Sequence, residues 1–281
     1  MNIGGQALIE GILMKSPNYT SIATIKNKKI KVKIEKNSKF VKKYSKIFFL
    51  RGIVTLIETL VSGMKALSYS AKEFGEEEIS NKDMVWVFLF SFLLSIGLFI
   101  ILPFYLAKPL TDNIFLFNLI DGIFRVIIFI IYLVLIARMK DIQRVFQYHG
   151  AEHMTIACNE SKLKLTINNV KKFSTIHERC GTAFIFIVLI ISIIVFSLIT
   201  HESTLVKILY RITLIPVIAG ISYEILKLQA KTHSLLLKWM IYPGLWFQKI
   251  TTKKPNNSQI QVAIKALEAL LKKEKHYKSH S

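Results

Sequence analysis

Acidic residues are scarce in this 281-residue chain: 18 Asp and Glu stand against 38 Lys and Arg, a formal charge of +20. Cysteine is scarcer still, with only Cys158 and Cys180. Two thiols in a stretch expected to face the cytosol exclude a disulfide framework. No basic segment followed by an apolar core opens the chain, so a cleaved signal peptide is not expected. There is no internal repeat. The lysine tracts sit in no recognisable nucleic-acid fold, and the basic excess therefore does not argue for RNA or DNA as a partner.

Apolar sequence is what the chain has in quantity. It is 52% hydrophobic with a mean hydropathy of +0.42, too apolar for an ordinary soluble domain. Four runs approach the ~20 residues that a span requires: Met84 to Leu106, Ile114 to Ala137, Ala183 to Thr200 and Leu205 to Leu226. Asp121 and Arg125 suit the second run only near the outer interface, where Arg125 snorkels. Lys207 and Arg211 must snorkel likewise in the fourth, which Pro216 and Gly220 are expected to kink. The loop from Lys108 to Asp121 has one basic residue, whereas the next loop carries Arg138, Lys140, Arg144, Lys162 and Lys164 among others. The positive-inside rule then places both termini and the loop 138–182 in the cytosol. Anionic headgroups of the bilayer become the first expected partner of the lysines.

The flanking segments organise the rest. Residues 1–83 read as a cytosolic N-terminal segment, 84–226 as a four-span bundle, and 227–281 as an interfacial and cytosolic C-terminal segment. Met1 to Pro17 reads as a glycine-marked tight turn packing Ile9 and Ile12, and its Gly4-Gly5-Gln6 tripeptide is too short to carry a function. Ile30, Val32 and Ile34 alternate with Lys29, Lys31 and Lys33, the period of a half-buried strand in a small hairpin. Ile53, Leu56, Leu60, Met64 and Leu67 form the apolar stripe of an amphipathic helix on the membrane or the bundle, followed by a solvated connector at Glu76 to Glu78. Trp239 and Trp246 suit a headgroup layer. Ser258 and Gln261 have capping-box spacing before a short C-terminal helix. The fold class is thus an all-α polytopic membrane protein of about four transmembrane helices, with a small N-terminal β-hairpin and cytosolic amphipathic helices.

The run His149-Gly150-Ala151-Glu152-His153 carries the chemistry. Positions i and i+4 share one helical face, so both imidazoles reach one cation, and the H-x-x-E-H order is that of the inverzincin zinc hydrolases. A divalent transition metal, zinc first, is the expected cofactor. His149 and His153 are the expected ligands, with His177 or Cys180, from His177-Glu178-Arg179-Cys180, completing the shell. Glu152 is the candidate base for an attacking water. Glu224 at the end of the fourth run, Glu10 and Glu58 could join from the same side. The competing reading has both histidines satisfied by backbone carbonyls or headgroups, in a scaffold with a structural metal or none. A transport role is disfavoured because polar residues within the spans are sparse.

Several segments carry a family resemblance: GGQALIEGILM, RGIVTLIETLVSGMKALSYSA, YHGAEH, HERCGTAF, LIPVIAGISYE, and PGLWFQKITTKKP followed by QVAIKAL. In this order, and over nearly the whole length, they resemble the YqhQ family of bacterial membrane proteins, often labelled predicted metal-dependent enzymes. The resemblance implies a multi-pass protein of the bacterial cytoplasmic membrane and a metal site at His149, Glu152, His153, His177 and Cys180. It names no substrate, so the partner beyond the bilayer stays an unspecified membrane-proximal substrate or protein. Met154 stands where the family usually has lysine, and Glu178 where it has proline.

Overall fold

A computed structural model describes residues 3–38, 47, 50–75, 80–177, 180–199, 203–232 and 235–279. The chain is mostly helical, but it opens with a four-stranded antiparallel meander, β1 (Gly4–Leu8), β2 (Gly11–Lys15), β3 (Tyr19–Lys26) and β4 (Lys29–Lys36), in that spatial order. Residues 4–15 therefore form a hairpin of two strands rather than a single turn. Leu8 pairs with Gly11 across a two-residue connection in which Glu10 adopts a left-handed φ of 49°. Ile12, Met14 and Ala23 face one side of the sheet, Leu13 and Ile22 the other, and all five are buried. The expected second hairpin is present, with Asn27 and Lys28 both at positive φ (50° and 62°), the signature of a type I′ turn. Its outer strand is less buried than its alternation implies: Val32 and Ile34 are exposed.

The sheet is covered on both faces. Helix α1 (Leu50–Phe74) packs on the Leu13 and Ile22 side through Ala66. It buries a face of small residues, Gly52, Gly63, Ala66, Ser70 and Ala71, and leaves Ile57, Leu60, Val61 and Leu67 exposed. That outward apolar stripe fits a helix lying against lipid. The connector at 76–79 lies outside the described residues.

Helix α2 (Asn81–Ile96) runs through a π-helical turn (Gly97–Ile101) into α3 (Leu102–Ala107). Helix α4 (Ile114–Ile136) follows. The stretches Lys82–Leu110 and Ile114–Ile136 are each long and apolar enough to cross a membrane. Helix α5 (Lys140–Glu160) is not a continuation of α4, because residues 137–139 break the helix. The middle of α5 is buried almost all round, from Tyr148 to Ile156, between β1 on one side and the C-terminal helix on the other. After the short α6 (Ile167–Val170), α7 (Gly181–Ser197) is apolar but has only 17 residues. Helices α8 (Thr204–Thr213) and α9 (Ile215–Thr232) meet at a 43° bend. Pro216 in the first turn of α9 accounts for the break. Among the described residues two helices, or three if the bent pair counts as one, are thus long and apolar enough to span.

Inside this bundle the polar groups do not snorkel as expected. Asp121, Arg125 and Arg211 are all at most 3% exposed. Asp121 accepts from Arg125 at 2.6 Å and from Arg211 at 2.8 Å. Arg125 also donates to Ser192 Oγ at 2.7 Å and to the Phe99 carbonyl in the π-helical turn at 2.9 Å. Pairing with one another removes the need to reach the interface, the other route by which charge is tolerated among apolar helices.

Helix α10 (Leu235–Thr251) leads back to the sheet, and α11 (Asn257–Lys278) covers its second face. Side chains at 233–241, Trp239 included, lie outside the described residues. The capping box of α11 is formed by Asn256 and Gln259, two residues before the expected pair, because Ser258 is already helical. The helix is also longer than expected, at 22 residues. It buries Ala263, Leu267 and Leu270 among Ile12, Met14 and Tyr148, and Ile260 and Ile264 among Met154, Cys158 and Val170.

Candidate metal centre

Helix α5 supplies two of the three groups that converge. His149 and His153, one turn apart, meet edge to face with ring centroids 4.4 Å apart and planes at 64°. Cys180 arrives from the N-cap of α7, where its sulfur accepts from the Thr182 N–H at 3.4 Å. One ligand atom from each of His149, His153 and Cys180 lies within 4.8 Å of the other two. His149 Nε2 and Cys180 Sγ are 3.2 Å apart.

Backbone carbonyls orient both rings. His149 Nδ1 lies 2.8 Å from the Thr251 carbonyl and His153 Nδ1 lies 2.5 Å from that of Thr175. A carbonyl only accepts, so both Nδ1 atoms carry the proton and both Nε2 lone pairs remain for another partner. Imidazole ligands of metals are held in this way. Gly150 makes the arrangement fit. A Cβ there would stand 2.2 Å from the Lys253 carbonyl oxygen and 3.1 Å from Thr175 Cγ2, so the chain at 251–253 can cross α5 only over a glycine. Lys253 N–H donates to the Phe146 carbonyl at 2.9 Å across the same contact.

Glu152 lies on another face of α5 and is 5% exposed. Its carboxyl packs onto β1: a Cβ at Gly5 would meet Glu152 Cδ and Oε1 at 2.7 Å. Burial pushes this carboxyl up to about 7, against the opposing pull of His149. It neighbours the His149–His153–Cys180 cluster without belonging to it. His177 also stands beside the cluster, its ring centroid 5.7 Å from that of His153. Its Nε2 lies 3.3 Å from Glu160 Oε2. Gln248, fully buried, clamps the His177 backbone with bonds of 2.8 and 2.9 Å.

The three further carboxylates are placed elsewhere. Glu10 accepts from Arg144 Nη2 at 2.7 Å and from Tyr148 OH at 3.1 Å, tying the β1–β2 turn to α5. Burial raises the Tyr148 hydroxyl to about 12, so it stays a donor. Glu58 pairs with Lys15, linking α1 to β2. Glu224 accepts from Arg51 Nε at 2.7 Å, linking α9 to α1. Each forms an ion pair between elements, away from the histidines. Sequence reasoning missed Gly5, Thr175, Gln248 and Thr251. The PGLWFQKITTKKP segment contains the last two, but a carbonyl acceptor leaves no mark in side-chain identity.

The family described as "Protein of unknown function (DUF1385)" has a model that matches residues 47–273. A relative in Bacillus subtilis (strain 168), "Uncharacterized protein YqhQ", is 36% identical over 298 aligned residues, covering 96% of this chain and 92% of that protein. No solved structure matches. At that identity and coverage, the chain belongs to the YqhQ family.

Proposed function

We propose that this protein is a metal-dependent enzyme of the membrane surface, with His149, His153 and Cys180 as ligands and Glu152 as its acid–base group. The convergence of those three donors, with both imidazoles already oriented through Nδ1, carries the reading. Two neutral imidazoles and a thiolate form a donor set suited to zinc, and three protein ligands leave one position open, as catalytic sites do. A cation bound there would supply Lewis-acid polarisation of a substrate carbonyl or phosphoryl oxygen.

The residues of the chain do the rest. Thr251 and Thr175 hold the rings against rotation, and the Gln248 clamp keeps the 175–177 segment in place. Glu152, in a pocket that disfavours its charged form, can hold a proton and release it near neutral pH, which suits a group that takes a proton from an attacking water and returns it to a leaving group. Hydrolysis of a peptide or lipid-linked substrate near the membrane is the reaction class that this donor set and location favour. The reading takes α2–α3, α4, α7 and the α8–α9 pair as four spans with both termini cytosolic. The 17 residues of α7 rise about 26 Å, close to a hydrocarbon core of about 30 Å. Inversion or removal of one crossing would detach the basic loops from the inner face.

Cobalt substitution tests the site. Co(II) bound through Cys180 should give a thiolate charge-transfer band that disappears in Cys180→Ser. Added azide should perturb the spectrum if a position is open. An unchanged spectrum with azide would mark a closed shell, with His177 as the fourth ligand, and a scaffold instead of an enzyme.

A further inference from the structure

Two cavities meet along α1, and they differ in chemistry. One is a groove of about 360 Å³ between α1 and the start of α2, lined by Ile57, Leu60 and Met64 on one side and Met84, Val85 and Phe88 on the other. Apart from Lys65 every side chain in it is apolar. The other is a cleft of the same volume between α1 and the outer strands, lined by Lys33, Lys36, Asn37, Ser62 and Lys65 among others. Val61 and Lys65 belong to both. The groove borders α2, which lies in a stretch long and apolar enough to cross a membrane and on which Trp86 and Phe90 are also exposed.

We propose that the two cavities together bind one phospholipid with an anionic headgroup: an acyl chain in the groove, the phosphate in the cleft. The charge balance favours this occupant. The cleft is lined by three lysines and two glutamates. Glu35 is paired with Lys33, and Glu58 is taken by Lys15. Lys36 and Lys65 thus keep their positive charge available to a phosphate, with Asn37 and Ser62 as uncharged donors. A detergent-like apolar molecule would use the groove but not the cleft, and free phosphate, with no chain for the groove, would meet the cleft's lysines too weakly to displace an anchored lipid. Only an amphiphile uses both, with Lys65 at the junction where a headgroup meets its chain. None of His149, Glu152, His153 and Cys180 lines either cavity, so the proposal stands apart from the metal centre.

The test is photocrosslinking of the full chain in phosphatidylcholine vesicles doped with phosphatidylglycerol bearing a diazirine in its acyl chain. Adducts are mapped by peptide mass spectrometry. Adducts should concentrate on 57–65 and 84–89. Val61→Trp, which fills the junction from an exposed position, should abolish them there while leaving adducts elsewhere on α2 and α4. Lys36→Gln/Lys65→Gln should reduce them roughly tenfold or more, since each lysine near an anionic headgroup adds about a fivefold preference. The charge-matched control Lys272→Gln/Lys273→Gln, on the exposed face of α11, should leave them unchanged. Inorganic phosphate should not compete. Adducts spread over all exposed apolar helix surface and indifferent to Val61→Trp would overturn the proposal. Equal loss in the α11 control, or displacement by free phosphate, would do so too.

Discussion

Replacing Gly150 by alanine should damage the metal centre without touching a ligand. In isolation the change favours the helix by about 1 kcal/mol. Here the new Cβ would stand 2.2 Å from the Lys253 carbonyl oxygen, and ordinary contact at ~3.5 Å requires a shift of roughly 1 Å. The obstacle is backbone on one side and a buried helix on the other, so neither yields by a rotamer change. Overpacking of this kind costs about 1–3 kcal/mol, and the net loss is about 0–2 kcal/mol after the helical gain is subtracted. The parts that must shift are those carrying the Thr251 and Thr175 carbonyls, and the loss of such orienting bonds weakens metal binding roughly 10- to 100-fold. Cobalt titration beside thermal unfolding in detergent reads both effects. A Gly150→Ala protein that is more stable than wild type and binds cobalt equally well would refute the close crossing of 251–253 over α5.

Other consequences follow from the same contacts. Asp121→Asn would leave Arg125 and Arg211 buried without a counter-charge, and chemical denaturation in mixed micelles should show a loss of about 3–5 kcal/mol. Lys28→Gly, at φ 62° in the β3–β4 turn, should gain about 1 kcal/mol by relieving left-handed strain, read as a rise in Tm. Glu152→Gln should change the pH dependence of chelator-treated protein. Burial raises this carboxyl from 4.5 to about 7. The folded state therefore disfavours the charge, and wild type should lose up to about 3 kcal/mol as pH climbs from 4.5 to 7, with no further loss above. The glutamine variant should lack that slope and match wild type only in acid. Parallel unfolding curves across the whole range would contradict it.

The H-x-x-E-H spacing correctly placed both imidazoles on one side of α5, because i,i+4 geometry follows from the helix alone. Cys180, offered as an alternative to His177, is the member that converges, and the choice between them depended on how α7 begins, which is a tertiary matter. Glu10 and Glu224 were legible as carboxylates in apolar surroundings and Glu58 as one on the polar face of its helix, but their partners Arg144, Arg51 and Lys15 lie far away in sequence. The same limit applied to Arg125 and Arg211. Asp121 and Arg125 are i,i+4 neighbours on α4, but only the fold shows that Arg211 of α8 joins the same carboxylate and that all three stay buried. The β1–β2 hairpin was hidden for another reason. Its inner strand is buried on both faces, so GILM is continuously apolar and has no alternation to read. The stripe expected on α1, Ile53, Leu56, Leu60, Met64 and Leu67, overlaps the exposed apolar residues only at Leu60 and Leu67. The small residues between its large ones decide the matter, since they let α1 approach the sheet and α9 and leave the large residues outside.

The most direct test of the metal centre is elemental mass spectrometry on detergent-purified protein, beside a His149→Ala/His153→Ala variant shown to be folded by circular dichroism. The account predicts near-stoichiometric zinc or another divalent transition metal in wild type and its loss in the variant. Wild-type protein that takes up no metal even after reconstitution, or a variant that retains it, would contradict the assignment of His149, His153 and Cys180 as its ligands.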